Sequence, residues 1–227
     1  SPAVVADHAF LKALYGAHPY GHPAIGSETT LSRLGRVEVM RFHDRWYMRK
    51  PWTIIAVGDV QDDKLRELTN GVFSRRKRPA ETETVTSVLP PPPAVTDRMV
   101  FVPRQGAVQS EIRLGHAGVS RRSSDYYALR ILNMVLGGQF ISRINLNLRE
   151  EKGYTYGAGT VFDWRMGRGP FSLHSSIQTS STVDALREAI REIADIRARR
   201  PATADEVFVA QAALTRGFPR RFETASQ

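Results

Sequence analysis

The chain has 227 residues, which is enough for one large domain or for parts of two. It is 41% apolar, which is enough for a core and excludes a disordered chain. It contains no cysteine, which excludes disulfide bonds and cysteine-based metal or nucleophile chemistry. The formal net charge is +9, but its arginine clusters fall at expected helix ends and in loops, which is typical of a solvated surface. We therefore expect no nucleic-acid partner, and no apolar run is long enough to predict a transmembrane segment.

The N-terminal third of the chain is predicted to form three helices and one strand. Apolar residues recur at helical spacing over 4–15, 36–47 and 62–73, and Gly16 is expected to end the first helix. Residues 52–60 contain a continuous apolar run, which predicts a buried strand. These elements alone would leave one face of that strand uncovered, so we expect the chain to be part of a longer polypeptide.

A linker is predicted over residues 74–96. This stretch combines a basic run with acidic residues, and its four consecutive prolines, Pro90 to Pro93, favour an extended and semi-rigid chain. We therefore divide the sequence into a first domain over 1–73, the linker, and a second domain over 97–227.

The second domain is predicted to order its strands and helices as an α+β fold does. Strands are expected over 98–103, 107–115, 154–162 and 171–177, and helices over about 125–136, up to Arg149, over 182–199 and from 204 toward 218. Two of these helices carry apolar stripes, which are Ala128, Ile131, Leu132, Val135 and Leu136 in the first and Leu186, Ala189, Ile190, Ile193 and Ile196 in the second.

Arg149 and Tyr156 are the main candidates for a functional pair. Helical periodicity reaches Arg149, Gly153 is expected to end that helix, and strand-like alternation puts Tyr156 on the same face as Tyr154. A permanently charged guanidinium and a phenol hydroxyl, seven residues apart, could then donate to one acceptor oxygen. The alternative is a helix-end arginine that favours the helix dipole and a tyrosine packed on a sheet.

The order of the motifs resembles that of a known protease family. The second half of the chain runs through Asp125-Tyr126-Tyr127-Ala128-Leu129, Leu132-Asn133, Leu136-Gly137-Gly138, Ser142-Arg143 and Leu148 to Gly153, and the first half contains His18-Pro19-Tyr20-Gly21, Phe42 to Tyr47 and Ile54 to Val60. In this order and spacing they resemble the pitrilysin / mitochondrial-processing-peptidase family, the inverted-motif zinc metallopeptidases. The resemblance covers most of the chain.

This resemblance implies two related α/β-sandwich domains that form a clam, the first of them incomplete here. In the family, the first domain holds zinc through H-x-x-E-H and a later glutamate, and the metal-free second domain supplies an arginine and a tyrosine to the substrate. Arg149 and Tyr156 match that pair, which implies a catalytic role in supporting the substrate carbonyl in the transition state. Gly137, Gly138 and Phe140 fall where the family has a substrate-facing glycine-rich loop, although a helix end explains the glycines equally well.

No metal site is expected within this chain. His18 and His22 are four residues apart, but Pro19 and Gly21 oppose a helix there and no glutamate lies between them, so H-x-x-E-H is absent. The resemblance places that motif upstream of Ser1, and because the chain does not open with Met we expect the native polypeptide to extend upstream. Zinc is therefore expected in a complementary domain in cis or in a partner subunit in trans.

The sequence thus predicts a fragment or zinc-free subunit of a zinc metallopeptidase that is inactive alone. We expect a peptide substrate held extended along a sheet edge, and a homo- or heterodimer. Two alternatives stay open, which are a non-catalytic structural or assembly member of the same family and a basic nucleic-acid-binding module. The family suggests the bacterial periplasm or a membrane-associated setting, whereas the sequence itself fixes neither compartment, nor peptide specificity, nor partner.

Overall fold

A computed structural model describes residues 1–48, 52–73, 89–95 and 99–224. The chain packs into two units, one made of Ser1–Pro23 with Leu89–Arg216 and the other of Ala24–Val88 with Gly217–Gln227. Residues 1–23 thus pack with the second half of the sequence, which we did not anticipate. The division into a first domain over 1–73 and a second over 97–227 stays a prediction, and most of its linker, residues 74–88 and 96, lies outside the described residues.

The described elements follow one another in an α+β order, as predicted. In chain order they are α1 (Pro2–Tyr15), a 3-10 turn (Pro19–Gly21), α2 (Glu28–Leu31), α3 (Arg36–His43) continued by a π turn (Asp44–Met48), α4 (Asp62–Phe73), β1 (Gln109–Ala117), α5 (Tyr126–Leu136), α6 (Arg143–Asn145) continued by a π turn (Leu146–Glu151), β2 (Thr155–Phe162), β3 (Pro170–Gln178), a 3-10 turn (Thr179–Ser181), α7 (Thr182–Asp195), α8 (Ala204–Gly217) and a 3-10 turn (Pro219–Phe222).

The first unit is built on an antiparallel sheet, which has three strands in the order β1-β3-β2 within the described residues. Arg113 of β1 and Gly159 of β2 both lie opposite His174 of β3, which fixes the register across the sheet. Ile112, Leu173 and Ile177 point from the strands into the core. They pack there with apolar residues from the helices, among them Val135, Leu136, Ile144, Leu148, Ala185, Ala189 and Ile196.

The predicted stripes of α5 and α7 pack on the core except at Ala128 and Ile190, which are exposed. Ala189 of α7 and Ile196, which directly follows the helix, are buried, whereas Ile190 is exposed. Glu192 takes a buried position instead, because it accepts a hydrogen bond from the buried Asn147. The inner face of α7 therefore includes a paired polar residue beside most of the predicted apolar ones.

An aromatic cluster attaches the N-terminal segment to the turn between β2 and β3. Tyr15, His18 and Tyr20, here called the aromatic clasp, have ring centroids 4.9–5.7 Å apart. The Tyr15 hydroxyl donates to the Arg168 carbonyl (2.8 Å), and the Gly167 amide donates to the Tyr20 hydroxyl (2.9 Å). Burial raises the pKa of Tyr15 to about 12, so the phenol stays a donor at any physiological pH.

The second unit exposes most of its apolar side chains. Residues 52–60, which we predicted as a buried strand, are neither a strand nor buried, and Ile55 is 83% exposed. A strand needs a hydrogen-bonded neighbour, and none of the described residues pairs with this stretch. The strand predicted over 98–103 is also wrong for residues 99–103, which are exposed and unpaired, while Arg98 lies outside the described residues.

Candidate functional site

Arg149 lies where the sequence predicts it, in the last turn of a helix that ends next to a strand. Residues Arg143–Asn145 and Leu146–Glu151 form one continuous helical segment, here called the site helix. Gly153 follows with φ +66°, a backbone conformation that favours glycine, and the chain then enters β2. The Gly153 amide donates to the Arg149 carbonyl (3.2 Å), so the turn that reverses the chain starts from Arg149 itself.

The Arg149 side chain is partly exposed and already has two neighbours. Its Nη1 donates to Glu150 Oε1 (2.7 Å), and its Cζ lies 4.3 Å from the centre of the Phe140 ring. Phe140 is itself 64% exposed. The structure therefore brings Arg149 together with Phe140, two residues that we selected for different reasons, and it leaves part of the guanidinium open to solvent.

Tyr156 projects from a bulge at the start of β2. The register of β2 against β3 shifts between Thr155 and Ala158, and Tyr156 is 92% exposed. Tyr154 packs against the core instead, so the expectation that the two tyrosines share a face is wrong, because the bulge breaks the alternation. The Tyr156 hydroxyl makes no hydrogen bond to any residue that the structure describes, and its pairing with Arg149 stays a prediction.

Buried hydroxyls brace this bulge. Thr155 Oγ1 accepts from the Gly157 amide (3.1 Å) and donates to the Ser176 carbonyl (2.7 Å). Ser175 Oγ donates to the Gly157 carbonyl (2.8 Å). The backbone on both sides of Tyr156 is thus held in place although its side chain is free.

Gly137 and Gly138 are required by packing. A Cβ on Gly137 would come within 2.4 Å of Thr160 Oγ1, and one on Gly138 within 2.6 Å of Asn133 Nδ2. The Gly137 carbonyl also accepts from the Thr160 amide (2.9 Å). The two glycines therefore end α5 and let it approach β2, while their role in substrate binding stays a prediction.

Asn145 connects the Phe140 loop to β2. It is buried, its Nδ2 donates to the Phe140 carbonyl (2.7 Å), and its Oδ1 accepts from the Ala158 amide (3.0 Å). We did not select Asn145 from the sequence. The available signal was a polar residue between Ile144 and Leu146 in a helix with a buried apolar stripe, where an amide needs partners.

Arg143 and Asn147 were missed for the same reason. Arg143 is buried and makes a bidentate pair with Glu206, with Nε–Oε1 and Nη2–Oε2 distances of 2.6 Å. The hydrogen bonds from Arg143 lower the pKa of Glu206 to about 2, and those to Glu206 raise the pKa of Arg143. Their four-residue spacing puts Arg143 and Asn147 on one helical face, which was the signal available in the sequence.

The donor groups that the structure describes do not fit zinc. No group of three or more His, Asp or Glu side chains that could hold a metal occurs among residues 1–48, 52–73, 89–95 and 99–224. Both ring nitrogens of His18 are taken, since Nδ1 accepts from the Tyr20 amide (3.0 Å) and Nε2 lies 2.9 Å from the Pro90 carbonyl. Burial lowers the pKa of His174, and the charge of Arg113 lowers it further.

A helix long and apolar enough to cross a bilayer is likewise absent from the part of the chain that the structure describes.

Proteins of similar sequence are named as zinc proteases. A Mycobacterium tuberculosis protein named as an uncharacterized zinc protease is 29% identical over 221 residues, which is 96% of this chain and 49% of that protein. The zinc protease PqqE of Helicobacter pylori is 26% identical over 152 residues, or 67% of this chain and 34% of its own length. The chain thus spans about half the length of the curated relatives it matches first.

Solved structures share the fold. A protease from Helicobacter pylori superimposes with a TM-score of 0.82 at 20% identity, covering 100% of this chain and 54% of that one. The peptidase M16 inactive domain from Pseudomonas fluorescens gives a TM-score of 0.74 at 22% identity, covering 95% of this chain and 51% of its own. Residues 33–214 match the family described as "Peptidase M16 inactive domain". This match covers most of the sequence, and the chain belongs to the peptidase M16 family through its inactive domain.

Proposed function

We propose that this chain is the zinc-free half of a peptide-hydrolysing M16 protease, in which Arg149 and Tyr156 bind the carbonyl oxygen of a peptide substrate. One observation carries the proposal, which is the exposed Tyr156 on a bulge whose backbone is fixed by Thr155 and Ser175. A tyrosine that serves packing would bury its ring, whereas this one presents a free hydroxyl on a rigid support.

The chemistry of the pair suits the oxyanion of peptide hydrolysis. A guanidinium offers several N–H donors in a fixed plane, and a phenol hydroxyl adds one more donor. Fixed donors aimed at the oxygen where charge develops stabilise the transition state, and removing one such donor typically lowers kcat by about 100-fold or more. Glu150 neutralises only part of Arg149, because it contacts a single nitrogen of the fork.

A zinc-bearing domain must supply the attacking water. Zinc held in that domain would supply the activation of water that peptide hydrolysis needs near neutral pH. The relatives named as zinc proteases are about twice as long as the matched region, which supports such a domain in cis, and a partner subunit in a homo- or heterodimer is the alternative source. This chain contributes binding and orientation of the peptide.

The contact with substrate is made by side chains rather than by strand addition along β2. The Ala158 amide is bonded to Asn145, and the Thr160 amide and carbonyl are bonded to Gly137 and Asn133. A peptide strand could not pair with backbone groups that are already bonded. We therefore propose that Tyr156 and Arg149 meet the peptide beyond this protected edge, with Phe140 beside them.

A structural or assembly role is the second candidate. The observation that favours it is that Arg149 already contacts both Glu150 and Phe140, as a purely structural arginine would. Peptide hydrolysis by the complete protein separates the two functions, because only the first needs Arg149 to leave these partners for a substrate oxygen.

The test compares variants of the full-length protein, or of this chain assembled with its zinc-bearing partner, on a fluorogenic peptide library. Arg149→Ala and Tyr156→Phe are each expected to lower kcat/KM by about 100-fold or more without loss of folded protein. Arg187→Ala and Tyr127→Phe are the matched controls, because both residues are exposed in the same unit, and they should leave kcat/KM unchanged. Full activity in both site variants would contradict the proposal.

A further inference from the structure

Arg143 is held far more tightly than Arg149, six residues later in the same helix. Besides the bidentate pair with Glu206, it donates to the carbonyls of Arg200 and Pro201, the latter at 3.0 Å. Glu206 in turn accepts from the Thr203 amide (2.8 Å). One buried guanidinium thus ties the start of the site helix to the loop before α8 and to the first turn of α8.

Asn147 makes a second attachment one turn later. Its Nδ2 donates to Glu188 Oε2 (3.0 Å) and Glu192 Oε1 (2.8 Å), both on α7. The amide has a fixed orientation, because exchanging its oxygen and nitrogen would turn the oxygen toward two carboxylates. The site helix is therefore bonded to α7 at Asn147 and to α8 at Arg143.

The second attachment falls where the helix widens. Residues 146–151 are wound as a π turn, and the Lys152 amide donates to the Asn147 carbonyl (3.0 Å), five residues back. Such turns are frequent at functional sites. Arg149 lies inside this turn, so the direction of its side chain depends on the residue that anchors the turn.

We propose that Arg143 and Asn147 are positioning residues, which fix the site helix so that Arg149 points at the substrate oxygen. This inference rests on the proposed function of Arg149. Stability alone is a poor explanation for the network, because buried ion pairs contribute little compared with apolar packing of the same volume. Ile144 and Leu148 already supply that packing on the neighbouring face of the helix. The hydrogen bonds of Arg143 and Asn147 are directional, unlike apolar contacts, so they can fix the orientation of the site helix.

The experiment is a double-mutant cycle in the full-length protein, on the same peptide substrates. Arg143→Lys keeps the positive charge but cannot make the two parallel hydrogen bonds to the Glu206 carboxylate. We expect it to lower kcat/KM by about fivefold to twentyfold, mainly through kcat. In the Arg149→Ala background the same change should have almost no further effect, because the residue that it positions is gone. Glu206→Gln, which breaks the same fork from the other side, serves if Arg143→Lys does not fold.

Arg113→Lys is the matched control. Arg113 is also mostly buried and bonded to two carboxylates and two carbonyls, but it lies on β1. It should lower stability without changing kcat/KM. Hydrogen exchange gives a readout without substrate, since amides 148–153 should exchange about tenfold faster in Arg143→Lys while the β3 amides stay protected.

The outcomes separate the two proposals. If Arg149→Ala lowers kcat/KM but Arg143→Lys does not, or if their effects multiply, the positioning role is overturned and the proposed function stands. If Arg149→Ala has no effect, the proposed function fails and the positioning role fails with it, even where hydrogen exchange shows that the helix has loosened. Non-additive losses with faster exchange confined to 148–153 support both.

Discussion

The two units of this chain differ in how far their apolar residues are buried. The first unit has a contiguous core around Leu173 and Leu148, whereas in the second no described residue is buried. Yet the second unit has helices with apolar residues at helical spacing and the most continuous apolar run in its half of the sequence, over 52–60. An apolar pattern therefore indicates what a segment can become, and burial depends on having a partner to pack against.

The largest expected effect is on the free energy of unfolding, when a leucine is replaced by alanine at a buried position of the first unit and at an exposed position of the second. Leu173→Ala should lower the free energy of unfolding of the first unit by about 3 kcal/mol, because Leu173 is 1% exposed and its removal leaves a cavity. Leu68→Ala, at a position in α4 that is 60% exposed, should change it by less than about 0.5 kcal/mol. Hydrogen exchange of β3 amides across a denaturant series measures both. Equal losses would contradict the expectation that burial decides the cost of removing a leucine side chain.

The next effect is on the stability of the first unit at low pH. Because the folded-state pKa of Glu206 is about 2, below its ordinary value of 4.5, its pairing with Arg143 stabilises the first unit fully above pH 4.5, and this contribution is lost as pH falls toward 2. After allowance for solvent screening we expect a contribution of about 1–2 kcal/mol. Glu206→Gln should remove that part of the pH dependence.

Asp62 supplies the comparison in the second unit. It pairs with Arg66 on α4, but both side chains are 72% exposed. Asp62→Asn should leave the acid unfolding curve unchanged. A loss of pH dependence as large as that in Glu206→Gln would show that exposed and buried pairs contribute alike here.

The smallest effect tests the aromatic clasp. Tyr15→Phe removes one donor and leaves the Arg168 carbonyl without it, which should cost about 1 kcal/mol in the first unit. Tyr127→Phe, at an exposed ring in the same unit, is the control and should cost nothing measurable. Thermal unfolding of the two variants side by side decides whether the clasp adds stability.

Much of the first unit follows from its sequence. The glycine after the site helix, the stripe of α5 apart from the exposed Ala128, and the two strands β2 and β3 were all predicted, since local turn chemistry and periodicity determine them. The bulge at Tyr156 was not, because it depends on hydroxyls of Thr155 and Ser175 meeting across two strands. The inward position of Glu192 was missed because its partner, Asn147, lies on another helix.

The candidate site divides in the same way. Arg149 and Tyr156 were selected from a local motif, and the structure places the first in a helix end and the second on a braced bulge. Arg143, Asn145 and Asn147 were not selected, because a polar residue in a helix predicts an exposed face unless its partners are known. Apart from the Phe140 carbonyl, which is five residues from Asn145, those partners lie 13–63 residues away in sequence.

The aromatic clasp also bears on how the chain is made. Tyr15 and Arg168, which it joins, are 153 residues apart. At about 5–20 residues per second, a ribosome needs roughly 8–30 s to travel from one to the other. Throughout that interval Tyr15, which is buried in the folded chain, has been synthesised but the turn that it contacts has not. The first unit therefore cannot fold in the order of its synthesis, because its N-terminal segment cannot complete its packing until the β2–β3 hairpin has been translated.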